Sequence, residues 1–207
     1  MKKLFLILMI LSASLFGQEE TLISGQVEHG GFGGPVLKMT SVKNEFGVLV
    51  GGYGGWLINH TFMIGGGGYG LVNKIKGNDA AQLAYQVYTD RPVNIEFGYG
   101  GVVFEYIHNS NSLIHFAFSA LIGAGGVTYN ERDYDDWNWG EHRDDGRPND
   151  AFFVAEPEIK AELNVASFFR VNVGGSYRFV SGVNIIGLKN SDLSGPSANI
   201  TFKFGKF

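Results

Sequence analysis

Over 168–183, Phe169, Val171, Val173, Gly175, Tyr177 and Phe179 share one set of alternating positions, and Arg170, Asn172, Gly174, Ser176 and Arg178 share the other. Over 151–165 the odd positions Phe153, Ala155, Pro157, Ile159, Ala161, Leu163 and Val165 are apolar, while Glu156, Glu158, Lys160, Glu162 and Asn164 lie between them. The segment 197–207 sets Ala198, Ile200, Phe202 and Phe204 against Asn199, Thr201, Lys203 and Gly205. The segment 93–107 begins in the same way, with Ile95, Phe97 and Tyr99 against Asn94, Glu96 and Gly98. A period of two is the signature of strands with one apolar and one polar face.

Extending this reading predicts eight strands, at 35–42, 46–57, 61–73, 93–107, 113–130, 151–165, 168–183 and 197–207. The second, fourth and sixth connections are short, whereas 74–92, 132–150 and 184–196 are long. In an up-and-down arrangement alternate connections share an end, so the long loops gather at one end and the even turns at the other. That asymmetry is typical of outer-membrane barrels. The first connection, 43–45, is short although it falls on the long-loop side.

Alternation alone fits a soluble barrel with its apolar face inward and a membrane barrel with that face outward. Composition separates them. Glycine numbers 31 in 207 residues, about twice its usual share. Glycine and short polar residues suit the interior of an eight-stranded barrel, which side chains nearly fill, whereas a soluble surface favours lysine and glutamate. Phenylalanine on successive strands would form a lipid-facing belt. Tyr53, Trp56, Tyr69, Tyr99, Tyr106, Tyr129 and Tyr177 fall near strand ends, where aromatic girdles sit at the headgroup level. The expected fold is therefore all-β: a single eight-stranded antiparallel up-and-down transmembrane barrel.

At the N-terminus, Lys2 and Lys3 precede an apolar run over 4–11 and then Ser12, Ala13, Ser14 and Gly17. This is the order of a secretory signal peptide. We expect residues 1–17 to be the signal, 18–34 a leader and 35–207 the barrel. No later stretch approaches the roughly 20 apolar residues of a membrane helix, so a spanning structure beyond the signal must be a closed barrel. The chain has no cysteine, which excludes disulfides, thiolate metal sites and a cysteine-linked lipid anchor. The net charge of -4 offers no basic field for nucleic acid.

Signal peptide, eight alternating strands, one-sided long loops and a terminal phenylalanine together resemble the small OmpA-type outer-membrane barrels, over residues 35–207. The closing run Asn199-Ile200-Thr201-Phe202-Lys203-Phe204-Gly205-Lys206-Phe207 is similar to the C-terminal signal read by barrel-assembly machinery, although Phe207 falls one residue out of phase with Phe202 and Phe204. The resemblance implies a porin-like cell-envelope protein in the outer membrane, a monomer in contact with outer-membrane lipid and the assembly machinery.

Two constellations carry candidate chemistry. The first is a lumen charge network of Glu156, Glu158, Lys160, Glu162, Arg170 and Arg178; a three-residue turn over 165–167 would set Glu162 across from Arg170. Buried charge requires pairing, so the set reads as a polar plug or as a narrow gated ion path. The second is the loop 132–146, with Tyr134, Asp135, Asp136, Trp137 and Trp139. Its carboxylates do not follow the calcium-loop spacing, and Arg132, Arg143 and Arg147 offer ion pairs instead; its aromatics suit an extracellular partner. No elbow or zinc motif accompanies the five histidines, and no catalytic residue, metal or cofactor is expected. The glycine runs lie within strands, not between a strand and a helix, and are not phosphate loops. The reading is a non-enzymatic structural or surface-interaction protein acting through loops 74–92 and 132–150. The alternatives are an outer-membrane lipid-modifying enzyme, for which His115, His142 and Ser119 would be the residues to test, and a soluble lipocalin-like barrel holding an apolar ligand.

Overall fold

A computed structural model of the protein describes residues 27–85, 92–130 and 149–207. Eight strands run in chain order, with two short helices in the connections: β1 His29–Val42, β2 Glu45–Ile58, β3 Phe62–Leu71, α1 Asp79–Tyr85, β4 Asn94–His108, β5 Ile114–Asn130, β6 Asn149–Ala166, β7 Phe169–Ser181, α2 Asn190–Leu193 and β8 Gly195–Lys206. Each strand pairs antiparallel with the next, and β1 pairs with β8, so the sheet closes. Closure leaves no strand edge without backbone partners, which is the condition for crossing a bilayer with strands.

The short turns follow from local chemistry. Lys43 and Asn44 both take left-handed backbone (φ 52° and 61°), the geometry of a two-residue hairpin whose twist matches the strands, and Asn59 and His60 do the same (φ 49° and 56°) in the three-residue β2–β3 connection. In the third connection, Asn78 caps α1 by accepting from the Ala81 amide at 2.9 Å. β1 begins at His29, so residues 29–34, expected in the leader, belong to the barrel.

Side chains sort by face. The outer surface carries Phe46, Ile114, Val173, Phe116 and Phe179, each more than half exposed, while the charged set of β6 and β7 is enclosed. β6, β7 and β8 have the orientation expected from their alternation. Three expectations need correction. In β4, Ile95, Phe97 and Tyr99 face the lumen, and it is Glu96, Gly98 and Gly100 that face outward. Of the seven aromatics assigned to a girdle, Tyr53, Tyr69, Tyr99 and Tyr129 are buried inside, leaving Trp56, Tyr106 and Tyr177 outside. The glycines of β2 to β4 are not confined to the lumen: Gly52, Gly68 and Gly100 are cross-strand neighbours on the outer face, continued by Ala124 of β5.

The interior is layered. At the turn end, Leu57, Met63, Ile107 and Ala117 are buried. A charged layer fills the middle. At the loop end, Leu49, Phe97, Val127, Phe152, Val154 and Val180 form a second apolar layer. The third and seventh connections fold onto it, burying Ile75, Ala81, Val93, Ile185, Leu188 and Leu193. The mouth is therefore roofed by a strap over 182–194 and by the described part of the loop that contains α1. The strap is tied down where Tyr129 donates its hydroxyl to the Ile186 carbonyl at 2.8 Å and Asn78 donates to the Gly187 carbonyl at 3.0 Å.

Candidate functional site

The charged layer gathers side chains from six of the eight strands. Period-two spacing puts Glu156, Glu158, Lys160 and Glu162 on one face of β6, and that face looks inward. β1 contributes Lys38, β4 Glu105, β5 His115, β7 Arg170 and β8 Lys203, every one of them buried. Of the predicted network, Glu156, Glu158, Lys160, Glu162 and Arg170 meet here. Arg178 lies at the loop end, beneath the strap.

Two linked clusters result. Glu105 accepts from Lys203, from Lys160 at 2.9 Å and from the Tyr53 hydroxyl at 2.8 Å. Glu162 accepts from Lys203 at 2.5 Å and from Arg170 at 2.8 Å. It also lies 3.1 Å from His115 Nε2, whose Nδ1 is 3.0 Å from the Ser112 carbonyl. In the second cluster Glu156 binds Lys38 at 2.9 Å and accepts from Tyr99 at 2.7 Å and Ser176 at 2.6 Å. Glu158 joins the two, with Lys160 at 3.3 Å and the Asn199 amide, shared with Ser176, at 3.1 Å. Charges withdrawn from water are tolerable when paired and hydrogen-bonded in this way.

The register of the β6–β7 hairpin differs from expectation. An irregularity between Asn164 and Ala166 sets Glu162 across from Asn172 and Asn164 across from Arg170. Arg170 still reaches Glu162, but diagonally. Lys38, Glu105 and Lys203 were not singled out from the sequence, and His115 was named for the enzyme alternative alone and not for this network. The signal was available: Lys38 stands between Leu37 and Met39, and Glu105 between Phe104 and Tyr106, each a charged residue flanked on both sides by large apolar ones.

Close packing holds the layer together. Gly67 lies under Tyr53, and a Cβ there would come within 2.6 Å of the Tyr53 Cβ, so only glycine lets this tyrosine cross to Glu105. Lys38 Nζ stands 3.7 Å from the centre of the Tyr69 ring, a cation–π contact. A small cavity bounded by Lys38, Tyr53, Tyr69, Glu156 and Glu158 holds about 10 Å³, the space of a single water molecule. A layer so filled has no room for an apolar ligand of lipocalin type. At the turn end, Phe207 points inward, stacked on Phe32 at 5.5 Å with the Arg170 guanidinium 3.9 Å from its ring centre. Its position one residue out of phase with Phe202 and Phe204 makes it an inward stopper, while those two face outward.

Of the residues named for the enzyme alternative, the described His115 and Ser119 bind different carboxylates. His115 and Ser119 both come from β5, but His115 bonds Glu162 and Ser119 donates to Glu158 at 3.2 Å. His142 and the loop residues Tyr134, Asp135, Asp136, Trp137 and Trp139 lie outside the described residues, as does the segment 1–17.

The sequence matches no protein-family model and no curated relative. Among solved structures, the chain is similar to Neisserial surface protein A, with a TM-score of 0.56 and 12% identity over 88% of this chain and 100% of that one. It is also similar to the N-terminal β-barrel domain of Pseudomonas aeruginosa OprF, with a TM-score of 0.50 and 10% identity over 87% of this chain and 99% of that one. Both are eight-stranded outer-membrane barrels. At these identities the likeness is one of fold, and the fold of this chain is that of a small outer-membrane β-barrel.

Proposed function

We propose that this protein is exported by a cleaved signal peptide, inserts in the outer membrane and serves a non-enzymatic structural or surface-interaction role there, with its loop end facing the cell exterior. One observation carries the reading: charged side chains are enclosed and large apolar side chains face outward, the reverse of a water-soluble barrel. The barrel-fold likeness and the signal-like order of residues 1–17 support it. A lumen filled by ion pairs and roofed at one end favours a stabilising interior over a solute path. That leaves loops 74–92 and 132–150 as the surface we assign to a partner, and the outer face as the contact for lipid. Phe202 and Phe204, aligned outward on the last strand, are the side chains we assign to recognition by the assembly machinery.

Topology is testable because the chain has no cysteine. Single cysteines at exposed positions of the strap (Lys189→Cys) and of the β4–β5 turn (Asn111→Cys) would be probed on intact cells with a membrane-impermeant maleimide. Labelling at 189 with protection at 111 until the envelope is opened is the expected result. Equal labelling at both, or a band whose gel migration does not shift on boiling, would overturn the assignment.

A further inference from the structure

Among the described lumen cations, Arg178 stands apart. Its side chain is fully buried, at 0% exposure. Lys38, Lys160, Arg170 and Lys203 each contact a glutamate, but Arg178 forms no ion pair among the described residues. Its Nε donates to the Leu193 carbonyl of the strap at 2.6 Å, Nη2 lies 3.5 Å from Thr40 Oγ1, and Nη1 has no partner. Nor can Glu156 be spared for it, since that carboxylate is already shared by Lys38, Tyr99 and Ser176.

Charge counting locates the same imbalance. The described lumen holds five fixed cations (Lys38, Lys160, Arg170, Arg178, Lys203) against four carboxylates (Glu105, Glu156, Glu158, Glu162). A buried guanidinium without a counter-charge is costly. A second group beside it is also unsatisfied. Ser197 is buried, and its hydroxyl has no hydrogen-bond partner; it pairs across the sheet with Thr40 on one side and Ser176 on the other. Directly opposite Arg178 stands Gly195, where a Cβ would approach only the Ser41 backbone. The Arg178 guanidinium thus reaches Thr40, the cross-strand partner of Ser197, beside a position without a side chain. Above it lie Leu193 and the rings of Phe97 and Tyr99, whose centres are 5.2 and 5.6 Å from the guanidinium carbon.

We propose that these two unpartnered groups at the loop end of the lumen bind a small monovalent anion of the halide class, bridging Arg178 Nη1 and Ser197 Oγ. One negative charge balances the described lumen set, and both free groups donate hydrogen bonds, as an anion requires. A divalent oxyanion would overcompensate and would need more room. The strap is the entry gate: Gly182 and Gly187 take left-handed backbone (φ 103° and 83°), and the strap covers Arg178 through its contact with Leu193.

The test is thermal unfolding of the full refolded chain in detergent, titrated with sodium bromide against sodium gluconate at constant ionic strength. A ligand bound only by the folded state raises the melting temperature saturably with concentration. Ser197→Ala, which removes one donor and keeps Arg178, should weaken the apparent bromide affinity by about tenfold, the worth of one hydrogen bond to a charged partner. Arg178→Met should abolish the dependence. Anomalous diffraction from bromide should give a peak between residues 178 and 197. A melting temperature indifferent to bromide in the unmodified chain, an unchanged affinity in Ser197→Ala, or bromide found only elsewhere would overturn the site and leave water on these two groups. None of these results bears on the membrane assignment.

Discussion

Lys203, on the strand that closes the barrel, sets its ammonium between Glu105 of β4 and Glu162 of β6. One side chain near the end of the sequence thereby ties together carboxylates 98 and 41 residues earlier.

Replacing Lys203 by Met leaves two buried carboxylates short of a partner. The expected loss is about 3–5 kcal/mol, the range for breaking a buried pair from one side. Adding Glu105→Gln should recover part of it, because the surplus negative charge is then removed. Urea unfolding in detergent or lipid vesicles measures both, and a double variant no more stable than Lys203→Met alone would refute the coupling.

Ile159, near the middle of β6, is 52% exposed on the outer face. In a bilayer, Ile159→Arg should cost about 2–4 kcal/mol, as arginine does at the midplane of a barrel. In water the same exposed change would fall within about 0.5 kcal/mol. Folding yield into vesicles, compared with stability in detergent, separates the two outcomes.

Gly67→Ala pushes a methyl group against the Tyr53 Cβ and displaces the hydroxyl from Glu105. Overpacking of this kind costs about 1–3 kcal/mol. The accompanying loss of the Tyr53–Glu105 hydrogen bond should appear as a changed tyrosine near-ultraviolet spectrum. An unaltered spectrum would show that the neighbouring strand absorbs the methyl group.

Asn59 has φ 49° in the β2–β3 turn, and its side chain accepts from the Glu28 amide at 2.9 Å. Asn59→Ala should destabilise by about 1 kcal/mol, because alanine keeps the Cβ but loses the short polar side chain that makes left-handed backbone tolerable for asparagine, and with it the hydrogen bond to Glu28. Asn59→Gly should cost less. Equal losses in the two variants would place the whole effect on the side-chain contact.

The number of strands, their order and the inward aim of the β6 and β7 charges were legible because period-two alternation reports a face directly. β4 shows where that rule misleads. Its odd positions face inward throughout, yet the apolar residues sit on the odd positions at its start (Ile95, Phe97, Tyr99) and include the even ones further on (Val102, Phe104, Tyr106). The change of parity at Gly100 and Gly101 marks no kink; it marks the height at which the lumen passes from the apolar loop-end layer to the charged one. A sequence read strand by strand holds no coordinate for height. The tyrosines were misplaced for a related reason. Tyr53 and Tyr99 are amphipathic enough for a headgroup belt, but glutamates on other strands, Glu105 and Glu156, claim their hydroxyls, and such pairings appear only once the sheet has curled.

Phe207 at one end and the Leu193 strap at the other make this barrel a bung rather than a pipe. The ion pairs between them sit behind an apolar seal on each side, so a change of salt outside the protein should leave their attraction nearly unscreened.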